Sequence, residues 1–147
     1  MRYDGLGFYL LKPDGMPKRD AIRAVITDSG LAILDSRLTF VSEEALEVFY
    51  PRRCSEEIFQ VLLRFFQGQL CEVGLVDGED AAERLVRICG ASTDPEKCGE
   101  GTIRRTFASG RRVRIGGITA YENVIHRSRP REVESHAALF APWACPR

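Results

Sequence analysis

The chain has 147 residues, of which 44% are hydrophobic and 29% charged, and its 21 basic residues balance its 21 acidic ones. A chain of this length is served by one hydrophobic core, so we predict a single domain over residues 1–147. The composition argues against a disordered chain and a wholly basic nucleic-acid binder, and apolar runs such as residues 8–11 are far shorter than the roughly 20 residues of a membrane span.

The N-terminal residues lack the pattern of a secretory signal, so we expect a cytoplasmic protein. The five cysteines include no Cys-x-x-Cys pair and only two histidines accompany them, so neither a disulfide framework nor a protein-bound metal site is expected. Only three of the 21 basic residues are lysines. An excess of arginine over lysine is suited to bidentate hydrogen bonds with oxyanions. A GC-rich coding sequence explains the same excess equally well.

The first half of the chain alternates strand-like and helical segments. A buried strand is predicted at residues 7–12, before the turn sequence Pro13-Asp14-Gly15. A helix follows from Pro17 to about Gly30, then a strand over 31–41 and a short helix from the N-cap Ser42 to about Tyr50. Four apolar residues with the spacing of one helix face predict the next helix: Phe59, Leu62, Leu63 and Phe66.

The second half continues with a strand over 70–76, a helix over 80–89 and a polar loop over 90–101. Residues 104–114 are basic and interrupted by glycine, residues 113–120 form a strand or an extended loop, and a last helix covers 132–139. The irregular spacing of four strand candidates argues against a parallel fold. We therefore predict an α+β sandwich, a four-stranded antiparallel sheet with helices packed on one side.

The chemistry of the chain is indicated by dispersed polar residues, because neither a P-loop nor a dinucleotide-binding glycine motif is present. Side chains suited to phosphate binding surround one candidate nucleophile, a histidine. The phosphate-binding side chains are Lys12, Arg87, Thr93, Arg104 and Asn123, and the candidate nucleophile is His126.

Five fragments in order resemble the motif series of nucleoside diphosphate kinases: residues 8–15 (FYLLKPDG), Tyr50, residues 87–95, residues 101–104 (GTIR) and residues 123–128 (NVIHRS). The resemblance spans roughly residues 7–140. It implies a ferredoxin-like fold and a ping-pong transfer of the γ-phosphoryl group from ATP, bound with Mg²⁺, to nucleoside diphosphates. It also implies a homo-oligomer of unspecified size.

The resemblance assigns the nucleophile to His126, which forms a phosphohistidine and then phosphorylates the second nucleotide. A neutral imidazole is abundant near neutral pH, so this assignment is chemically sound. The resemblance implies phosphate contacts from Lys12, Arg87, Arg104 and Thr93, a sugar and phosphate contact from Asn123, and a place for Tyr50 near the nucleophile. Ser128 supports the hydrogen bonds of the site, and Ile58 or Phe59 falls near the family's base-stacking aromatic residue.

Three departures from the family pattern affect the site. Arg129 stands where the family has an aspartate near the metal and phosphates. The family glutamate that orients the imidazole corresponds to Ala137, so Glu134 or His136 could replace it, although we expect His136 on the surface. Between Phe107 and Asn123 the chain is about nine residues longer than many family members, and this basic insertion could extend the positive field, contact another subunit or, as favoured, form a solvated loop.

Two alternatives to an active kinase remain at this point. The first is a nucleotide-binding protein of the same fold with weak or lost transferase activity, as the missing glutamate suggests. The second is an RNA- or single-strand-binding module that uses the arginines of residues 104–114. Phe107 is the only aromatic residue there, so nucleic-acid binding is unfavoured.

Overall fold

The structure, a computed structural model, describes residues 3–52 and 55–144. Six strands and six α-helices have the following bounds: β1 Leu6–Leu11, α1 Arg19–Asp28, β2 Ala32–Thr39, α2 Glu43–Phe49, α3 Glu56–Phe66, β3 Cys71–Asp77, α4 Ala81–Cys89, α5 Ile103–Phe107, β4 Arg112–Ile115, β5 Ile118–Tyr121, β6 Ile125–Arg127 and α6 Val133–Ala138. Two of the five cysteines, Cys54 and Cys145, lie outside the described residues.

The main sheet has the order β2-β3-β1-β6, and all its neighbouring strands are antiparallel. Leu10 in β1 lies opposite Val73 of β3 on one side and His126 of β6 on the other. The order and the connections are those of a ferredoxin-like fold, which confirms the predicted α+β class. The candidate nucleophile therefore lies on an edge strand, directly beside the central strand β1.

Helices cover both faces of this sheet, which corrects the expectation of helices on one side only. One core packs α2, α3 and α6 against side chains such as Phe8 and Leu10. The other packs α1, α4 and α5 against Tyr9 and Leu11. Every residue of β1 is buried, because consecutive side chains of a strand point to opposite faces and both faces are covered.

The predicted helix start at Ser42 is confirmed, and Ser55 caps α3 in the same way. The Ser42 hydroxyl accepts a hydrogen bond from the backbone N–H of Ala45, and the Ser55 hydroxyl accepts one from Ile58. Each bond satisfies a donor that the first turn of a helix leaves without an intrahelical partner. No helix in the described ranges has both the length and the apolar character that crossing a bilayer requires.

Residues 103–121 differ most from the prediction. The basic stretch, for which no helix was predicted, begins with the short helix α5, whose N-cap Thr102 accepts a hydrogen bond from the backbone N–H of Arg105. The following insertion forms a β-hairpin, β4–β5, which is a separate two-stranded sheet. The favoured interpretation of a solvated loop is therefore wrong, whereas the strand predicted as one alternative for residues 113–120 is present as β4 and β5.

A buried carboxylate, Glu72, joins β3 to β1 and α1. The Tyr9 hydroxyl donates to Glu72 Oε2 at 2.5 Å, Arg23 Nη1 donates to the same oxygen at 2.7 Å, and Arg19 donates to Oε1. Burial by itself raises the pKa of Glu72, but these hydrogen bonds hold it below its ordinary value. Glu72 therefore stays ionised, and it fixes α1 on the sheet.

Candidate active site

The residue before β6 holds the nucleophile strand in an unusual backbone conformation. Val124 has φ +62°, which a β-branched side chain rarely adopts. Its carbonyl accepts a hydrogen bond from the Lys12 N–H at 2.8 Å, and its N–H donates to Asp14 Oδ2 at 3.1 Å. These two bonds tie the end of β1 to the start of β6 and set Asn123 and His126 on either side of a fixed bend.

The ring of His126 is half-buried and contacts a second histidine. Its Nε2 lies 3.4 Å from Nδ1 of His136, and that same Nδ1 lies 2.6 Å from the hydroxyl of the fully buried Ser128. The ring of Phe49 packs edge-on against His126, with centroids 4.9 Å apart. Because Nε2 faces His136, Nδ1 is the nitrogen of His126 left for a substrate.

His136 was expected on the surface, and this expectation is wrong: its ring is buried, with 4% of the residue exposed. Glu134, the other candidate for supporting the imidazole, lies on the exposed face of α6 and lines a separate groove with Asp80. Two residues along a helix turn a side chain by about 200°, so only one of the pair faces His126. Of the two candidates, the structure therefore brings His136 and not Glu134 into contact with His126.

Both imidazoles are held neutral. Burial lowers the pKa of His126 well below 6.5, and the neighbouring His136, Lys12 and Arg127 lower it further. Burial also lowers the pKa of His136, against an opposing effect of Glu132. At neutral pH the lone pair of the His126 imidazole is thus available for attack.

Lys12, Asn123 and Thr93 form a polar cluster beside the nucleophile strand. The buried Lys12 donates from Nζ to Asn123 Oδ1 at 2.6 Å, and its Nζ lies 5.3 Å from the ring centre of Tyr50. Asn123 Nδ2 donates in turn to the Thr93 carbonyl at 2.9 Å. Four of the predicted site residues, drawn from four separate segments, therefore meet here.

A cavity of about 250 Å³ opens on this cluster, and five predicted residues line it: Lys12, Tyr50, Ile58, Thr93 and Asn123. Phe59 and Leu62 of α3 and the whole of strand β5 complete its walls. His126 is not among the lining residues. Its neighbour Phe49 lines the cavity and contacts the imidazole, so the nucleophile lies directly behind that ring.

The arginines differ from their predicted roles. Arg104 is buried, and it donates to the Ile125 carbonyl through Nε and Nη2 and to the Ser92 carbonyl through Nη1. Three of its five N–H donors are therefore used by backbone carbonyls instead of forming a phosphate fork. Arg87, in the last turn of α4, is exposed, and neither it nor Arg104 lines the cavity.

Arg127 is a site residue that the sequence did not single out. It follows the nucleophile and donates to the carbonyls of Gly90 at 3.2 Å and Ala91 at 3.0 Å. Burial, followed by the nearby Arg104, lowers its pKa to about 10. Together with Arg104 it fastens the loop over residues 90–92 to β6. Arg129 is exposed and begins the turn before α6.

Comparisons with known proteins agree with this geometry. The model of the nucleoside diphosphate kinase family matches residues 7–141. The chain is 32% identical over 123 residues to the nucleoside diphosphate kinase of Methylobacterium nodulans, covering 82% of this chain and 81% of that one. It is 33% identical over 139 residues to that of Beijerinckia indica, covering 92% and 90%.

Solved structures are similar in fold. The Encephalitozoon cuniculi nucleoside diphosphate kinase has a TM-score of 0.76 at 23% identity and covers 92% of this chain and 88% of its own. A Halobacterium salinarum nucleoside diphosphate kinase in complex with CDP has a TM-score of 0.75 at 23% identity and covers 92% and 86%. At these identities the likeness shows the ferredoxin-like fold alone.

Proposed function

Because the chain belongs to the nucleoside diphosphate kinase family, whose members are phosphotransferases, we propose that it moves the γ-phosphoryl group of ATP to nucleoside diphosphates through a phosphohistidine at His126. One observation carries the proposal: a neutral imidazole has Nε2 facing His136 and packs against Phe49, whose ring lines the cavity that opens on the Lys12–Asn123–Thr93 cluster. The cavity takes each nucleotide in turn, and Tyr50 and Ile58 contact the nucleoside part.

In the first half-reaction the Nδ1 lone pair of His126 attacks the γ-phosphorus. The N–P bond forms as the bond between phosphorus and the bridging oxygen breaks, and the nucleoside diphosphate leaves. Nε2 keeps its proton and faces Nδ1 of His136 at 3.4 Å, where the single lone pair of that Nδ1 is shared with the Ser128 hydroxyl at 2.6 Å. In the second half-reaction a terminal oxygen of the new diphosphate attacks phosphorus, the N–P bond breaks and the neutral imidazole returns.

The neutral state of His136 is required for this sequence. A protonated His136 presents an N–H to His126 Nε2 and favours the tautomer whose proton sits on Nδ1. That tautomer has no lone pair on the nitrogen left for substrate. Lys12 places its point charge at the phosphates, and its bond to Asn123 Oδ1 keeps the ammonium in position.

Mg²⁺ enters with the nucleotide. No cluster of three histidine, cysteine, aspartate or glutamate residues suited to a metal occurs among the described residues. In kinases Mg²⁺ is usually held mainly by phosphate oxygens and water, and we propose the same for this chain. Mg²⁺ bound to the nucleotide would neutralise part of the phosphate charge, and Lys12 with Asn123 and Thr93 would hold the phosphates that carry it.

We also propose that the chain acts as a homo-oligomer, as its family resemblance implies. Strand β2 is an edge of the sheet, and it is followed by the exposed Phe40, 63% accessible, with Leu38 at 51%. Such an edge is suited to contact with another copy. Light scattering of the purified protein measures the oligomer size. Cytoplasmic location stays a prediction from the N-terminal sequence.

A second candidate is a nucleotide-binding protein without efficient transfer. Two observations favour it: Phe49 packs on the imidazole, and His136 stands where the family has a carboxylate. Incubation with γ-labelled ATP and Mg²⁺ separates the two candidates. The kinase acquires an acid-labile, base-stable label that moves to an added diphosphate, and His126→Ala abolishes it. ADP binding without labelling of the parent protein establishes the second candidate instead.

A further inference from the structure

The residue before the nucleophile strand lies at the centre of a tight turn. The Ile125 N–H donates a hydrogen bond to the Asn123 carbonyl at 2.7 Å, across Val124 with its φ of +62°. A hydrogen bond from residue i+2 to residue i around a positive φ is the pattern of the rarer and more strained form of γ-turn. A β-branched residue keeps such a conformation only where its surroundings impose it.

The turn that follows β1 imposes this conformation through three contacts. The Val124 carbonyl accepts a hydrogen bond from the Lys12 N–H at 2.8 Å, and the Val124 N–H donates to Asp14 Oδ2 at 3.1 Å. Gly15 packs so closely that a Cβ at its position would lie 2.5 Å from the Val124 carbonyl oxygen. Of the three contacts, the hydrogen bond to Asp14 is the one made by a side chain, so a single substitution removes it and leaves the backbone groups in place.

The carboxylate of Asp14 lies in an environment that does not favour it. Its Oδ1 is buried and accepts no hydrogen bond from any residue that the structure describes. Burial raises the pKa of Asp14, and the charge of Lys12 opposes that shift. A buried carboxylate oxygen without a hydrogen-bond partner lowers stability and is rare in folded proteins. The presence of a carboxylate here is therefore explained by what its other oxygen holds, the N–H of Val124.

The γ-turn joins the two parts of the candidate active site. On one side, Asn123 accepts a hydrogen bond from Lys12 Nζ at 2.6 Å and donates one to the Thr93 carbonyl at 2.9 Å. On the other side lies β6 with His126, and this strand pairs with β1. A negative φ at the central residue of the turn would reorient the peptide groups on both sides and displace Asn123 relative to His126. Asp14 does not line the cavity, so it influences both residues through the backbone.

We propose that Asp14 is a positioning residue of this active site. Its Oδ2 holds Val124 in the γ-turn, and the γ-turn sets Asn123 for the phosphates and His126 for attack on phosphorus. The inference rests on the proposed function and deepens it. The required property of residue 14 is a hydrogen-bond acceptor at Oδ2 and not a negative charge. Asparagine should therefore replace aspartate at this position, and alanine should not.

The first experiment compares Asp14→Asn and Asp14→Ala with the parent protein. Single-turnover labelling of His126 at saturating γ-labelled ATP with Mg²⁺ measures transfer, and calorimetry measures ADP affinity. Asp14→Asn keeps an oxygen for the Val124 N–H and is expected to behave as the parent protein in both assays. Asp14→Ala is expected to be labelled roughly a hundredfold more slowly, the effect of a displacement of about 1 Å, and to bind ADP roughly tenfold more weakly. The control Asp20→Ala, whose side chain on α1 is 97% exposed, should match the parent protein.

The second experiment removes the strain itself. Glycine takes a positive φ without the steric penalty of a Cβ, so in Val124→Gly the γ-turn depends less on outside support. We expect Asp14→Ala to slow labelling by a much smaller factor in the Val124→Gly protein than in the parent protein. A purely structural role of Asp14 predicts a lower melting temperature and the same effect on the labelling rate in both backgrounds.

Three results overturn the proposal. The first is an Asp14→Ala protein labelled at the parent rate, and the second is an Asp14→Asn protein as slow as Asp14→Ala, which assigns the effect to charge. The third is an equal slowing by Asp14→Ala with and without Val124→Gly, or a failure of both of these proteins to fold, which makes Asp14 a folding residue only. A parent protein that is never labelled refutes the kinase instead, and an ADP affinity that Asp14→Ala lowers and Asp14→Asn preserves then still supports the positioning of Asn123.

Discussion

Replacing His136 by phenylalanine tests the role of the second histidine. Phenylalanine keeps a ring against Phe8 and Phe49, whose centroids lie 6.4 and 4.7 Å from the His136 ring, but it has no acceptor for His126 Nε2. Loss of a side chain that orients a functional histidine lowers activity roughly 10–100-fold in comparable sites. We therefore expect the single-turnover rate of His126 phosphorylation to fall by that factor at saturating ATP.

The same substitution has two further effects. His136 is the second cause of the lowered pKa of His126, so its removal raises that pKa toward 6.5 and moves the acid limb of the rate profile upward. The buried Ser128 hydroxyl also loses its partner, which costs about 1–3 kcal/mol of stability. Labelling rates between about pH 5 and pH 8, together with thermal unfolding, measure both effects.

Glu134→Gln, on the exposed face of the same helix, is the matched control and should leave rate, profile and stability unchanged. A variant His136→Phe that phosphorylates as fast as the parent protein, with an unshifted acid limb, refutes the positioning role. If His136→Phe lowers the melting temperature but phosphorylates His126 at the normal rate, His136 contributes only to packing. A Glu134→Gln variant with slow phosphorylation of His126 would instead assign the support of the imidazole to the Glu134 carboxylate.

Further predictions concern stability. His126 and His136 have lowered pKa values in the native state, so the unfolded chain binds more protons than the native one below pH 6.5. The melting temperature should therefore fall as the pH drops toward about 5. A melting temperature that does not change over this range contradicts the burial of the two histidines as neutral rings. Glu72→Gln removes the charge that two half-exposed arginines pair with and should cost about 2–3 kcal/mol in urea unfolding, whereas no loss means that the buried charge is not needed. In Gly74→Ala the new Cβ lies 2.2 Å from the Tyr9 ring and should cost about 2 kcal/mol, whereas Gly99→Ala, with open space around it, should cost little.

The helices and strands that sequence predicts best are those with strong periodicity. The apolar spacing of α3 and the N-cap at Ser42 are local properties of the sequence, and both are present in the structure. The five-residue helix α5 escaped prediction because its basic composition resembles a loop and it is too short to show a period. The uninterrupted apolar run of β1 agrees with coverage of both sheet faces, because a strand with one solvated face alternates apolar and polar residues.

Residue types alone do not show what a side chain bonds to. Arg104 matches a phosphate-binding position, but three of its N–H groups donate to backbone carbonyls. This arrangement depends on the return of the loop over residues 90–92 to β6, which the sequence does not show. His136 was one of two candidates for the place of the family glutamate, but it was expected on the surface, because the ungapped register points one residue further, to Ala137. The buried positions Val133 and Ala137 flank it at helical spacing, and this apolar stripe was the available signal.

The inward-facing guanidinium groups of Arg104 and Arg127 have a mechanical consequence. They clamp the loop before Thr93 to the strand of His126, so the cavity wall and the nucleophile form one rigid frame. A displacement of the cavity wall at Thr93 therefore moves the His126 imidazole in the same direction. A misplacement of reacting groups by 1 Å lowers the rate of such a reaction about a hundredfold. The shared frame therefore keeps the attacking nitrogen in a constant position relative to the cavity while nucleotides are exchanged.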